Sequence, residues 1–485
     1  MKKIILSVTV SLFSFFLSGQ ITPVSSFGTN PGGLNMYIYV PTGISGPAPL
    51  VVALHGCTES ASVYAQQTGW NKLADLHKFY VVYPEQTSTN NSSLCFNWFD
   101  TTQADRNVGE ALSIKQMVDY MKAHYSIDAS QVYVTGLSAG GAMTAVMMAT
   151  YPDVFSRGAV MAGVPYKAAT SASTAISAMD GFVTKTPAQW GALVKAQNPG
   201  YTGTYPKAMI CQGSADFTVS PVNATELMKQ WTYMNHADQT VDSTYSSFQG
   251  NANVTLSIYN DSLGSPAVYS YSITSMPHGI AVDTGSCPRQ GGAAATYAIE
   301  EPNFHSTYWA ADFFNLIPNP YSITGPISVV SSGNGSYSVP NTTGSTYLWA
   351  GPSGASVTSG QGTNAVTIKF GTKSGNVIVT ETTSAGCKND AASLFVTVAP
   401  SGIASVTEPD GTLYYNSTEN SIHTQNISPT AFKTLRIYNV MGQDCTPSYS
   451  VEGTALLLHQ RLTSGLYIIR LTDGTMVYSG KIVIF

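Results

Sequence analysis

Apolar residues follow two different rhythms along this chain. Between Leu34 and Leu316, short unbroken apolar runs alternate with stretches of helical spacing. The runs are Leu50 to Leu54, Tyr80 to Tyr83, Val132 to Thr135 and Ala208 to Cys211. An unbroken apolar run of that length predicts a strand covered on both faces, because a half-exposed strand would alternate with polar residues. In Val108 to Tyr125, the residues Ala111, Leu112, Ile114, Met117, Val118 and Met121 recur every three or four positions and predict an amphipathic helix. Gly140 to Thr150, rich in Ala and Met, predicts a second, shorter one. Together these patterns predict an α/β unit with a mostly parallel sheet between two helical layers.

After Leu316 the rhythm changes. Ile317-Pro318-Asn319-Pro320 ends the last helical pattern and predicts a boundary. Ser, Thr and Gly then dominate, and alternating runs appear at Ser336 to Val339, Thr346 to Trp349, Ala365 to Phe370, Asn376 to Thr382 and Leu394 to Val398. Strands at this density predict a small β-sandwich. A second β-rich unit carries Thr434 to Tyr438, Gly465 to Leu471 and Met476 to Ile484, with Asp473-Gly474 as a hairpin turn. The expected division is a signal segment over 1–20, an α/β domain over 21–318, and two small all-β domains over 322–400 and 403–485.

The first segment is an export signal by its makeup. Lys2 and Lys3 precede the apolar stretch Ile4 to Leu17, which is short for a membrane span, and Ser18, Gly19 and Gln20 follow. No later stretch is apolar enough to cross a membrane. Only 10% of the 485 residues are charged, against about 25% in an average soluble domain. The net charge of −5 argues against a nucleic-acid partner bound through phosphates. The 43% hydrophobic content excludes a chain disordered throughout. Six cysteines, at 57, 95, 211, 287, 387 and 445, all follow the signal, and an oxidising compartment favours disulfides. The spacings alone leave the pairing open. Neither CxxC nor HExxH occurs, so no dedicated zinc site and no other metal or cofactor is expected.

The candidate chemistry centres on Gly136-Leu-Ser138-Ala-Gly140. Gly and Ser are so common here that the spacing alone carries little. Its context carries more: a strand runs in, a helix starts at once, and small residues stand where a sharp turn crowds its neighbours. Such a turn presents Ser138 as a nucleophile. A serine nucleophile needs a base and the base an orienting acid, which follow it in the order acid, then His. Of His236, His278 and His305, only His278 lies in a Pro/Gly loop after a strand, in Ser275-Met-Pro-His-Gly279. Asp216 follows the strand Ala208 to Cys211 in the same manner, whereas its rival Asp283 comes after His278. The backbone N–H groups of Ala139 and Cys57, the latter in Leu54-His-Gly-Cys-Thr58, are the expected oxyanion donors. His55 is expected as a support of that loop, with a place on the cleft wall as its other reading.

These residues sit in longer stretches that resemble the poly(3-hydroxybutyrate) depolymerase family of esterases. The resemblance is carried by Pro49 to Thr58, Val82-Tyr-Pro-Glu-Gln86, Asn90-Asn91, Cys95-Phe-Asn-Trp-Phe99, Gly136 to Met143, Tyr151-Pro-Asp-Val-Phe155 and Gly163-Val-Pro-Tyr166. It implies an α/β-hydrolase fold, a Ser138–Asp216–His278 triad, ester hydrolysis without a metal, and a Cys57–Cys95 disulfide. A Cys211–Cys287 pair is the accompanying expectation. Trp98 is expected at the cleft wall or in the core, Phe99 in the core. One departure stands beside the acid, where this chain has Gln212-Gly213 and the family often has His-Gly.

Residues 325 to 400, with Thr346-Tyr-Leu-Trp349, resemble PKD-like immunoglobulin-fold modules; Tyr347 and Trp349 are candidates for a polymer-binding face, though burial in the sandwich is the stronger reading. The last unit, with Leu435 to Gly442, Ser464 to Arg470 and Gly480 to Ile484, resembles the type IX secretion sorting domain. The implied substrate is hydroxyalkanoate polyester, with feruloyl or acetyl esters of plant polysaccharide as the alternative and a catalytically silent surface adhesin as the reading from another class. The implied partners are that ester polymer and the type IX machinery, and the implied location is secreted or at the cell surface.

Overall fold

The computed structural model describes residues 20–318, 322–389, 391–399, 412–416, 418–425, 434–440, 442–452, 455–472 and 477–484. All but the last position of the expected signal segment, Asn319 and Pro320 of the expected boundary, and the Asp473-Gly474 turn lie outside them.

The α/β unit is built on one ten-stranded sheet. In chain order its strands are β1 (Thr22–Val24), β2 (Asn35–Tyr39), β3 (Ala48–Leu54), β4 (Tyr80–Glu85), β5 (Ile127–Leu137), β6 (Arg157–Met161), β7 (Lys207–Gly213), β8 (Ser243–Tyr245), β9 (Val254–Asn260) and β10 (Pro266–Ile273). They lie side by side as β1-β2-β4-β3-β5-β6-β7-β10-β9-β8. The six central strands, β4 to β10 in that order, are parallel, and β1, β2, β9 and β8 add antiparallel edges.

Why the central runs are unbroken is visible in the packing. Leu50, Val52 and Leu54 of β3 feed one core, with Val132 and Val134 of β5 and the helices Gly109–His124 and Ala139–Thr150. Val51 and Ala53 feed the opposite core, with Tyr133, Tyr271, Trp70 and the helix Ser306–Phe313. Alternate side chains of one strand thus belong to different layers, and both layers are filled mainly by apolar residues. The antiparallel β9 has one wet face, so its burial alternates and its sequence, Val-Thr-Leu-Ser-Ile-Tyr-Asn, lacks a continuous apolar run.

The chain leaves β3 toward β4 on one side and places β5 on the other, so the direction of winding reverses between β3 and β5. Clefts in open α/β sheets form where two loops diverge at such a point, at the carboxyl ends of the strands. The Gly136-to-Gly140 turn and the Leu54-to-Thr58 loop both lie there.

The next unit is a sandwich of a four-stranded and a three-stranded sheet. Tyr347 and Trp349 point into its core at 2% exposure each, which overturns the polymer-binding face: both rings are walled in with Val366, Ile368, Val377 and Val379. The last unit repeats the four-plus-three arrangement around Ile437, Leu456, Ile469 and Leu471.

Cysteine pairing differs from the expectation at one place. Cys57 and Cys95 are bonded, but Cys287 is bonded to Cys387 and Cys211 is free. β7 turns Cys211 into the core beside Met209, away from any loop, and burial pushes its thiol up to about 12. Cys287 instead lies in a half-buried loop held by the Lys72 ammonium, which donates to the carbonyls of Gly285, Cys287 and Gln290. Its partner belongs to the sandwich, so this bond crosses from one domain to the next.

Candidate active site

Ser138 occupies the turn between β5 and its helix with φ 58° and ψ −116°, a conformation costly for a residue with a side chain. The surroundings hold it there. Its N–H donates to Met161 O at 2.9 Å and its carbonyl accepts from Ala142 N at 2.8 Å. The flanking glycines are required by contact: a Cβ on Gly136 would stand 2.4 Å from Gly140 O, and one on Gly140 2.2 Å from Leu54 O. Any larger residue would push the serine turn off the β3 end.

The Cys57 N–H stands in the neighbouring loop. On either side of it the backbone donors are occupied, Gly56 N by Glu59 Oε2 at 2.8 Å and Thr58 N by Ser93 O at 2.8 Å. Among the described residues Cys57 N has no acceptor. Ala139 N–H, first in its helix, precedes the amides that close the helical ladder.

His278 and Asp216 lie in the loops after β10 and β7, which are paired neighbours. Nδ1 of His278 is 2.8 Å from Asp216 Oδ2. The same oxygen accepts from Gln212 Nε2 at 2.9 Å, and Oδ1 accepts from Thr218 N at 2.9 Å and Val219 N at 2.8 Å. Burial pushes the Asp216 carboxyl up, but the donors, His278 foremost, bring it below the ordinary carboxylate range. Its ionisation therefore stabilises the fold above the unfolded-state value near 3.9, and this contribution is lost as pH falls through the lower folded-state value. Gln212, the departure from the family pattern, supplies one of these donors. No hydrogen bond joins the Ser138 hydroxyl to His278 among the described residues; such contacts commonly tighten only around bound substrate.

A cavity of about 120 Å³ opens beside Ser138, lined by Cys57, Trp98, Phe99, Ala142, Met179 and Val219 among others. Trp98 and Phe99 meet edge to face at 5.4 Å, and both line the cavity while packing on the core behind it, so for each ring the wall and the core are the same place. His55 is not on that wall. It is fully buried, with Nδ1 2.6 Å from Gly56 O and Nε2 accepting from Gln86 N at 3.1 Å. Both ring nitrogens are thus spent on the loop, and burial lowers the imidazole's affinity for a proton. The other rivals stand apart: His236 is exposed on a turn, His305 is buried with Nε2 on Thr68 O and is pulled down to about 4 by burial, and Asp283 bonds Gln290 and Asn303.

Two carboxylates beside the site have no marker in the sequence. Glu59 is one. Glu110, fully buried at the start of the helix Gly109–His124, is the other; its oxygens take Gln86 Nε2, Asn90 Nδ2, Asn97 Nδ2 and Asn97 N at 2.6 to 2.9 Å. It gathers the segment that carries Cys95 and Trp98. Burial pushes Glu110 up to about 7 against the pull of these donors, so its contribution to stability falls as pH rises from about 4.5 to about 7. Glu110→Ala takes the acceptor from three buried N–H groups, on Asn97 N, Asn97 Nδ2 and Gln86 Nε2, at about 1 kcal/mol or more each, while Asn90 Nδ2 keeps Gly32 O and Gln86 Oε1. The expected result is a fall in Tm of about 10 °C by calorimetry. A change under about 2 °C would show that the cluster is not what holds this loop.

The reversed winding at β3 and β5, with the serine turn above it, defines an α/β-hydrolase. Residues 34–253 match the family described as Esterase PHB depolymerase, and residues 316–396 the PKD-like domain. The poly(3-hydroxyalkanoate) depolymerase C of Paucimonas lemoignei is 50% identical over 299 residues, 61% of this chain and 70% of that protein. The feruloyl esterase B of Talaromyces stipitatus is 36% identical over 251 residues, 50% of this chain and 68% of that protein. The solved acetyl xylan esterase from Aspergillus awamori aligns with a TM-score of 0.50 at 31% identity, covering 54% of this chain and 94% of that one. This chain belongs to the PHB depolymerase family of esterases and is a serine carboxylic-ester hydrolase.

Proposed function

We propose that this esterase cleaves hydroxyalkanoate polyester, with Ser138 as nucleophile, His278 as base and Asp216 as the acid that orients it. The observation that carries the reading is the Asp216–His278 bond formed at the same strand ends as the Ser138 turn. His278 takes the hydroxyl proton through Nε2 as Ser138 Oγ attacks the ester carbonyl. The oxyanion accepts from Cys57 N–H and Ala139 N–H. The alcohol leaves with the proton from His278, and water, deprotonated by the same ring, releases the acyl group as a carboxylic acid.

A polyester substrate is supported by the rim of the cavity. Ile176, Phe182 and Phe217 are 69%, 78% and 94% exposed. Ile176 and Phe182 flank Met179, and Phe217 stands two residues before Val219; the two segments are joined by Ser220 N on Met179 O at 2.8 Å. Large apolar side chains left in water beside a cleft fit an apolar polymer surface better than a hydrated polysaccharide. The relatives named for ferulate and acetylxylan set the alternative. A panel of hydroxybutyrate oligomer, polyester suspension, methyl ferulate, acetylated xylan and a p-nitrophenyl ester tests it. Clearing of the suspension without ferulate or acetate release is expected; release of ferulate or acetate without clearing would move the assignment to polysaccharide esters.

The same reading takes the chain as exported and residues 403–485 as a sorting domain engaging the type IX machinery, with the product secreted or held at the cell surface. It is supported by the resemblance at Leu435 to Gly442 and Ser464 to Arg470.

A further inference from the structure

Glu59 is 4% exposed, yet only half of its carboxylate is used. Oε2 accepts from Gly56 N at 2.8 Å, and the same oxygen would stand 3.1 Å from a Cβ at Gly56, whose other near neighbour is the Leu137 side chain. The group therefore lies between the oxyanion loop and the residue that precedes Ser138. Oε1 is buried with no hydrogen-bond partner among the described residues. A buried carboxylate oxygen without a donor is costly, and its charge is not compensated locally.

Burial pushes the Glu59 carboxyl up, and the Gly56 N–H, then the His278 charge, pull it back. The other titratable groups around it offer no positive charge. His55 is locked neutral between Gly56 O and Gln86 N. Tyr64, buried on the helix Ala61–Thr68, is held in its protonated form by burial and by Glu59 itself. Glu85, at the end of β4, accepts from Ala61 N and Asn35 Nδ2. Asp216 is spent on His278 and three further donors.

We propose that Glu59 is a positioning residue of this site: one oxygen sets the loop that aims Cys57 N–H, and the charge stabilises the protonated His278 formed during ester cleavage. The inference rests on the assignment of His278 as the base. It separates two effects, reach and charge, that different substitutions remove.

The pH profile of kcat/KM on p-nitrophenyl butyrate reads the charge. Glu59→Gln keeps an oxygen for Gly56 N but removes the charge, so the protonated imidazole loses support. The acid limb is expected to move to lower pH by about half a unit to one unit, and the plateau kcat to fall several-fold. Glu59→Asp keeps the charge and shortens the reach, so the limb is expected to stay in place while kcat falls. A merely structural role would lower the plateau in both variants and leave both limbs where they are, which would overturn the proposal. Failure of both variants to fold would overturn it too, in favour of a packing role. The base assignment fails by a different sign: in the otherwise unchanged enzyme, His278→Ala would then retain wild-type activity and wild-type labelling of Ser138 by a fluorophosphonate.

Discussion

Ser138→Ala is expected to lower kcat for a p-nitrophenyl ester by on the order of 10⁶, with little change in Tm. The structure explains why the loss should be nearly complete. In the proposed mechanism the Ser138 hydroxyl is the nucleophile, held above the β3–β5 divergence, and the proposed oxyanion donors, Cys57 N and Ala139 N, are backbone groups that survive the change. What remains is the modest acceleration those donors give to attack by water. Stability should hold or rise, because alanine keeps the turn and removes only a hydroxyl. Retention of more than a few per cent of activity, with contaminating esterase excluded by active-site labelling, would remove Ser138 from the mechanism.

Asp216→Asn is expected to lower kcat by on the order of 10⁴ while leaving the fold intact at neutral pH. The carboxylate meets four donors, two at each oxygen. Thr218 N and Val219 N are backbone and cannot turn away, so the amide oxygen of the variant must face them. Its NH2 then points at His278 and Gln212. His278 can meet a donor only with Nδ1 unprotonated, which puts its proton on Nε2, the nitrogen that receives the proton of Ser138 in the proposed mechanism. The change is one atom, and its effect is to hold the base in the wrong tautomer. The measurement is kcat against pH beside the near-ultraviolet circular dichroism of the variant. Activity of the Asp216→Asn enzyme within tenfold of the parent would show that another group orients the ring.

The two layers of the α/β unit are legible in the sequence because burial on both faces leaves no room for a polar position in Leu50 to Leu54 or Val132 to Val134. The outer antiparallel strands Ser243–Tyr245 and Val254–Asn260 are not, since a strand with one wet face reads much like a polar loop. At the site, residues that leave strand ends in short Gly- or Pro-rich loops can be picked out one by one, and the contact of Asp216 with His278 follows from the pairing of β7 with β10. Glu59 and Glu110 cannot. A single carboxylate has no periodicity, and its importance comes from the donors that folding turns toward it: Gly56, three residues before it, for one, and Gln86, Asn90 and Asn97 for the other. His55 is scaffolding rather than part of the cleft wall, and the sequence leaves both readings open for the same reason: its two partners, Gly56 O and Gln86 N, are visible only in three dimensions.

The bond between Cys287 and Cys387 closes a covalent ring across a sequence separation of 100. A protease nick anywhere inside that ring would not release the downstream module: the pieces would migrate as one band until a reductant parted them. The esterase body and its neighbour are thus not beads on a string, free to search independently. The neighbour is moored by a second anchor point, in the same stretch of chain that continues from His278, and has to travel wherever the catalytic face goes.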